Sequence, residues 1–212
     1  MVSVSSGPQL VSHLIKRLFI ILSSAITLPS SSSILLADHN TKAPIITIYY
    51  DFNETNKSVT LGLVATNPPF GSLGVGFGRA DMHGTDIVIG IVNNSQVTIE
   101  DYYAFKEGKP SLDSNISGCK SSYYLFDSLV NTSHMIFTFG RSIDPEDACD
   151  YPLTQNDSML MAFAWKNVSN LSFHGQNHGQ VKVNFTQGFQ GYASPLNGSK
   201  GTGITNFSLH QS

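Results

Sequence analysis

The side chains able to do chemistry are few, and they gather in two glycine-rich segments. The first, GVGFGRADMHGTDIVIG over residues 74–90, sets Met82 between Asp81 and His83 in a loop joining two apolar stretches. The second, FHGQNHG over residues 173–179, holds His174 and His178. Imidazole is a common metal ligand, and a thioether is a soft neutral donor. By residue type alone each position has a plainer reading: a gap-filling or exposed methionine, and histidines that cap a turn or face solvent. Cys119 and Cys149 are the only cysteines, too few for a zinc site without suitably spaced partners. The sequence contains no G-x-S-x-G, no H-E-x-x-H and no phosphate-binding glycine loop, so it offers no enzymatic motif.

The N-terminus reads as a secretory leader. His13, Lys16 and Arg17 form a basic region ahead of the eleven apolar-rich residues 18–28, LFIILSSAITL, and small residues follow with cleavage expected near Ala37. Eleven residues are short of the ~20 needed to cross a bilayer, though an uncleaved anchor is the alternative. The sequon Asn-x-Ser/Thr occurs at Asn53, Asn56, Asn93, Asn115, Asn131, Asn156, Asn167, Asn170, Asn184, Asn197 and Asn206, all beyond the leader. Each is a weak signal alone, but eleven together support an exported, N-glycosylated chain. An oxidising compartment then makes a Cys119–Cys149 disulfide the default state, with two buried thiols as the alternative. The net charge of −3 becomes −5 without residues 1–37, and no basic patch exists, so nucleic acid is not an expected partner. The last residues carry neither a hydrophobic tail nor a stop-transfer segment, so no stable membrane span is expected after leader cleavage.

The elements that must position these residues are strands. Residues 45–52, IITIYYDF, are β-branched and aromatic. Residues 58–65, SVTLGLVA, alternate Val59, Leu61 and Leu63 with polar or small residues, the period-two pattern of a half-buried strand. Further strands are expected over 73–77, 86–92, 97–105, 121–129, 134–140, 158–165 and 180–185, separated by Gly, Pro, Asn and Asp. About nine short strands without helical periodicity predict an antiparallel sandwich or barrel. The expected division is a signal peptide over 1–37, one β-domain over 38–186, and a Gly/Ser/Asn-rich tail over 187–212 that adds at most one edge strand.

Three segments in order carry a family resemblance: 74–90; then VTIEDYYAFKEGKPSLD over 97–113; then IFTFGRSIDPEDACDYPL, SMLMAFAWK and FHGQNHG within 136–179. Together they resemble the DOMON domain family across roughly residues 45–186. The resemblance implies an all-β, immunoglobulin-like antiparallel sandwich that binds haem or a carbohydrate-like ligand. In the haem-binding members a methionine of the first block and a histidine of the last are axial ligands, which here correspond to Met82 and His174. Met/His ligation of haem b adds no charge and raises the reduction potential, and filling both axial positions suits electron transfer. His178, where many relatives have Arg, and His83 are competing ligands. Arg79 is either a propionate partner or a solvated charge. Asp86, Asp101, Asp113 and Asp144 fall at the turns and strand ends of the family pattern and are read as turn makers. The strand holding Trp165 offers a porphyrin wall or plain core.

These features lead to an expected secreted b-type haem-binding electron-transfer module, not an enzyme by itself, working with an extracellular redox partner. The alternative is a haem-free carbohydrate- or small-ligand-binding or adhesion module, in which Tyr102, Tyr103, Tyr123 and Tyr124 stack on sugar or form core. A glycoprotein with no pocket is the third reading.

Overall fold

The computed structural model describes residues 26–29, 32–35, 46–66, 71–78, 82–172, 174–175, 177–186 and 188–193. Twelve strands form among them: β1 (Ser32–Leu35), β2 (Ile46–Asn53), β3 (Ser58–Thr66), β4 (Ser72–Gly78), β5 (Thr85–Asn93), β6 (Gln96–Ala104), β7 (Ser111–Leu112), β8 (Tyr124–Val130), β9 (His134–Ser142), β10 (Ser158–Lys166), β11 (His178–Asn184) and β12 (Gly188–Ala193). One 3-10 turn, Asp113–Asn115, follows β7. A five-stranded sheet has the order β1-β2-β3-β9-β8, and a seven-stranded sheet the order β12-β11-β10-β4-β5-β6-β7. All pairings are antiparallel.

The period-two pattern decides which face of each strand is buried. Ile46, Ile48 and Tyr50 of β2, Leu61 and Leu63 of β3, and Phe137 and Phe139 of β9 point inward from the smaller sheet. They meet Leu73, Val75 and Phe77 of β4, Met159 and Met161 of β10, and Val181 and Val183 of β11. Burying such side chains is worth roughly 1.5–3 kcal/mol each, which makes this inter-sheet layer the main source of stability. The expected β-sandwich is what the chain forms. All nine expected strands are present within one to three residues, and β12 is a further strand at the edge of the seven-stranded sheet.

The region read as leader also contributes. β1 pairs with β2 from Ser32↔Tyr50 to Leu35↔Thr47. Leu28 and Pro29 lie so close to Gly62 that a Cβ there would come within 2.9 Å and 3.0 Å of them. A chain cut near Ala37 would lose this strand. The basic residues His13, Lys16 and Arg17, as well as Arg79, Asn197 and Asn206, lie outside the described residues.

Candidate functional site

The site is built on the outer face of the seven-stranded sheet, away from the inter-sheet core. On β4, Leu73, Val75 and Phe77 face the core, so Gly74 and Gly76 face outward. The register places Gly76 opposite Ala162 and Gly74 opposite Ala164 on β10. On the other side Gly76 meets Ile87 and Gly74 meets Ile89 of β5. Beyond β10, Ala162 faces Gln180 and Ala164 faces His178 of β11. Two central strands thus carry almost no side-chain volume, while the strands flanking them carry large side chains. The result is a trough. A Cβ on Gly76 would come within 2.7 Å of the Thr85 methyl and one on Gly74 within 3.3 Å of Ile89, so the missing side chains are what give the trough its depth.

Loops from opposite ends of the sheet close over it. β4 and β10 run antiparallel, with Gly78 beside Leu160 and Ser72 beside Lys166. The β4–β5 loop with Met82 therefore leaves one end, and the β10–β11 loop with His174 leaves the other. Met82 and Leu171 both pack on a second apolar cluster of Ile87, Ile89, Ile91, Tyr102 and Ala104. The cavity is about 740 Å³, and Met82, His174 and His178 all line it. Small-molecule and cofactor sites run to roughly 300–1,000 Å³.

The backbone around the two residues is fixed by turns. Met82 has φ 62°, in the left-handed region that a non-glycine residue adopts at a cost. The Met82 carbonyl accepts from the Thr85 N–H at 3.2 Å, and the Gly84 N–H donates to the Ala104 carbonyl at 2.7 Å, which ties the turn to β5 and β6. On the opposite loop, the Asn177 N–H donates to the His174 carbonyl and the Trp165 N–H to the Asn177 carbonyl. The rings of His174 and His178 lie 4.7 Å apart, and each places Nδ1 near the Gly175 carbonyl, at 3.3 Å and 2.9 Å. Burial, and then the neighbouring His178, lower the pKa of His174. That lowering favours the neutral imidazole, the form in which histidine binds a metal. His83 is exposed, so of the two competing histidines only His178 reaches the cavity. Lys109 and Lys166 also line the cavity, and the Lys166 ammonium donates to the Ser172 hydroxyl at 2.7 Å.

The other residues singled out in the sequence separate clearly. Cys119 and Cys149 form the disulfide. Of the nine sequon asparagines among the described residues, eight are exposed. Asn184 is not: it is 5% exposed, and its amide donates to the Asn156 carbonyl at 2.6 Å. A glycan has no room there once the chain is folded. Tyr102 and Tyr123 are buried core residues, which removes them as sugar-stacking surfaces, whereas Tyr124 is 49% exposed. Trp165 stacks on Phe163 and lines the cavity.

The reading of the aspartates as turn makers holds for exposed Asp144 and for Asp113, which opens the 3-10 turn, but not for Asp86 and Asp101, which lie within β5 and β6; Asp86, Asp101 and Asp113 are 1%, 3% and 0% exposed. They surround Arg141, itself fully buried. Arg141 Nη1 lies 3.2 Å from Asp86 and 3.1 Å from Asp150, while Nη2 donates to the Tyr151 carbonyl. Its guanidinium also stacks 4.9 Å above the Tyr123 ring. Sequence reasoning assigns Arg141 and Asp150 no role. The available signal is an arginine at an inward-facing position of an apolar strand, IFTFGR, where only a partnered cation is tolerated.

A two-sheet antiparallel β-sandwich with a glycine-floored cavity on its outer face and one loop entering from each end defines the class of fold. The DOMON domain family model matches residues 43–166, more than half of the chain, and the chain belongs to that family. The match ends before the His174 loop. Two solved structures share the fold. The cytochrome domain of Myriococcum thermophilum cellobiose dehydrogenase is 11% identical with a TM-score of 0.53, covering 71% of this chain and 80% of that one. The cytochrome b domain of pyranose dehydrogenase from Coprinopsis cinerea is 13% identical with a TM-score of 0.52, covering 67% and 77%. No curated protein matches the chain in sequence. Among the described residues no helix is long and apolar enough to cross a membrane.

Proposed function

We propose that the chain is a secreted electron-transfer module that binds haem b, with Met82 and His174 as the residues that would hold the iron. The observation carrying this reading is that these two neutral donors, on loops from opposite ends of the sheet, line one cavity over a floor of Gly74, Gly76, Ala162 and Ala164. The residues fit the group on two counts. The floor lacks side chains where a flat ring system needs space, and burial favours the neutral form of the His174 imidazole. When bound, haem supplies reversible one-electron chemistry. Met82 and His174 would hold the iron, Ile87 and Ile89 would keep water away from it, and a lysine lining the cavity, Lys109 or Lys166, would meet a carboxylate of the group. Secretion is supported by the leader-like N-terminus, the disulfide and the exposed sequons. The partner is then an extracellular redox protein, in keeping with two similar structures that are cytochrome domains of dehydrogenases.

The test is haemin titration of the purified chain, followed by absorption spectroscopy in both oxidation states. The expected result is a sharp Soret band at one equivalent and a near-infrared methionine-to-iron charge-transfer band. Met82→Ala should remove the latter and lower the reduction potential, while His174→Ala should abolish tight binding. Loss of the methionine band with a low-spin spectrum already in the unaltered protein would assign the second ligand to His178. Absence of any Soret band at saturating haemin would overturn the reading and leave the haem-free ligand-binding module.

A further inference from the structure

The smaller sheet carries a buried patch on its outer face. Leu61 and Leu63 of β3 point into the core, so Gly62 points outward, and its register partners are Tyr49 on β2 and Thr138 on β9. An outward position in an antiparallel sheet commonly meets water. Gly62 is nonetheless buried, and Thr138 is only 2% exposed. Part of the cover comes from residues 26–29. A Cβ on Gly62 would lie 2.9 Å from the Leu28 side chain and 3.0 Å from that of Pro29. The bare glycine is what lets the segment approach so closely.

The same stretch of chain goes on to form a strand. Pairing from Ser32↔Tyr50 to Leu35↔Thr47 puts β1 beside β2 and makes it the edge of the sheet. Without β1 that edge would be β2, whose eight residues ITIYYDFN are mostly β-branched or aromatic and carry one charge. A long apolar edge is a template for pairing with other chains, and a very short edge strand is one of the ways proteins blunt it. β1 has four residues, two of them serine. A cut near Ala37 would remove both the cover over Gly62 and this edge.

The sequence offers an earlier place to cut. The apolar run LFIIL, residues 18–22, is followed at once by Ser23, Ser24 and Ala25. A leader ends on small residues one and three positions before the cut, and it runs to roughly 15–30 residues, a range that holds 25 but not 37. We infer that the leader peptidase of the export route cuts between Ala25 and Ile26, and that residues 26–35 then dock on β2 and β3 as part of the folded domain. The step is hydrolysis of one peptide bond by water, leaving a carboxylate on Ala25 and an ammonium on Ile26. The inference rests on the secretion proposed above and is independent of haem.

The test is expression of the full chain in a eukaryotic secretory host, then removal of N-glycans, intact mass and N-terminal sequencing of the secreted protein. The expected first residue is Ile26, and trypsin should release a peptide spanning residues 26–42. Ala25→Tyr should abolish or move the cut, because a large side chain is excluded there, whereas Ala37→Tyr should leave secretion and the first residue unchanged. Docking is read separately. Ser33 and Tyr49 are register partners on β1 and β2, so Ser33→Cys combined with Tyr49→Cys should give a secreted protein with a bridge joining the two strands. A secreted chain beginning near residue 38 would overturn the inference and leave secretion standing. A chain retained in the cell with residues 1–25 attached would overturn it together with the secretion reading. A first residue of Ile26 without the bridge would overturn the docking of the new N-terminal segment.

Discussion

Replacing Arg141 by methionine tests whether the buried ion cluster holds the two sheets together. Met keeps the length and apolar stem of Arg but removes the cation that reaches both Asp86 and Asp150, at 3.2 Å and 3.1 Å. It also removes the donor to the Tyr151 carbonyl and the cation over Tyr123. The aspartates remain buried. Breaking one side of such a buried pair costs about 3–5 kcal/mol, because the surviving charge cannot regain water. In a domain of this size each kcal/mol moves the melting temperature by about 2–4 °C, so the expected fall is roughly 6–20 °C. The assay is calorimetry, supported by urea titration. Arg141→Lys should fall between the two, since an ammonium cannot fork across two carboxylates and a carbonyl. Adding Asp86→Asn to Arg141→Met should recover part of the loss by removing one stranded charge. A single Met variant melting within about 2 °C of the unaltered protein would refute the reasoning.

The same cluster predicts an unusual pH dependence. Burial raises the Asp101 carboxyl to about 6 and the Asp113 carboxyl to about 7. The folded state then holds protons that the unfolded chain has released, so their contribution is fully present below about pH 4 and is lost as pH rises through 6 to 7. Urea midpoints should fall over that range, with Asp86, Asp147, Asp150 and Arg141 as the charged groups around the pair; a rising midpoint would count against the placement. Reducing the Cys119–Cys149 bridge, which spans 30 residues, should lower stability by about 3–4 kcal/mol in urea unfolding. Ala164→Leu puts a larger side chain on the cavity floor between Gly74 and His178, and should weaken haemin binding at least tenfold while moving the melting temperature little.

Much of the fold is legible because period-two burial leaves a direct trace in sequence. SVTLGLVA and SMLMAFAWK show their inward faces as apolar residues at alternate positions, and both form strands with those faces buried. β1 is hidden because SSIL sits inside a segment whose composition reads as leader, and only pairing with β2 reveals it. The cavity is half visible. Gly74 and Gly76 at alternate positions announce a bare face on β4, but the matching Ala162 and Ala164 gain meaning only from the register with β10. The aspartates mislead for a physical reason. Asp at a strand end usually marks a turn, and sequence does not show that an arginine about 40–55 residues away folds in beside Asp86 and Asp101.

The alternation of β5 and β10 explains how one sheet serves two purposes. On β5, Asp86 and Val88 point between the sheets, toward Arg141 and the core, while Ile87 and Ile89 point outward to wall the cavity. On β10, Met159 and Met161 fill the core, and Ala162 and Ala164 leave the outer face bare. Neither face can change register without exchanging its side chains with the other, so the packing that stabilises the sandwich also fixes the cavity floor. The donors sit elsewhere, on loops where glycine relieves the backbone: Gly84 near Met82 and Gly175 beside His174 both have positive φ. Hydrogen bonds from Gly84 to Ala104 and from Trp165 to Asn177 then pin those loops to the rigid strands. Ligand specificity can thus vary through two short loops while the ion cluster and core stay as they are.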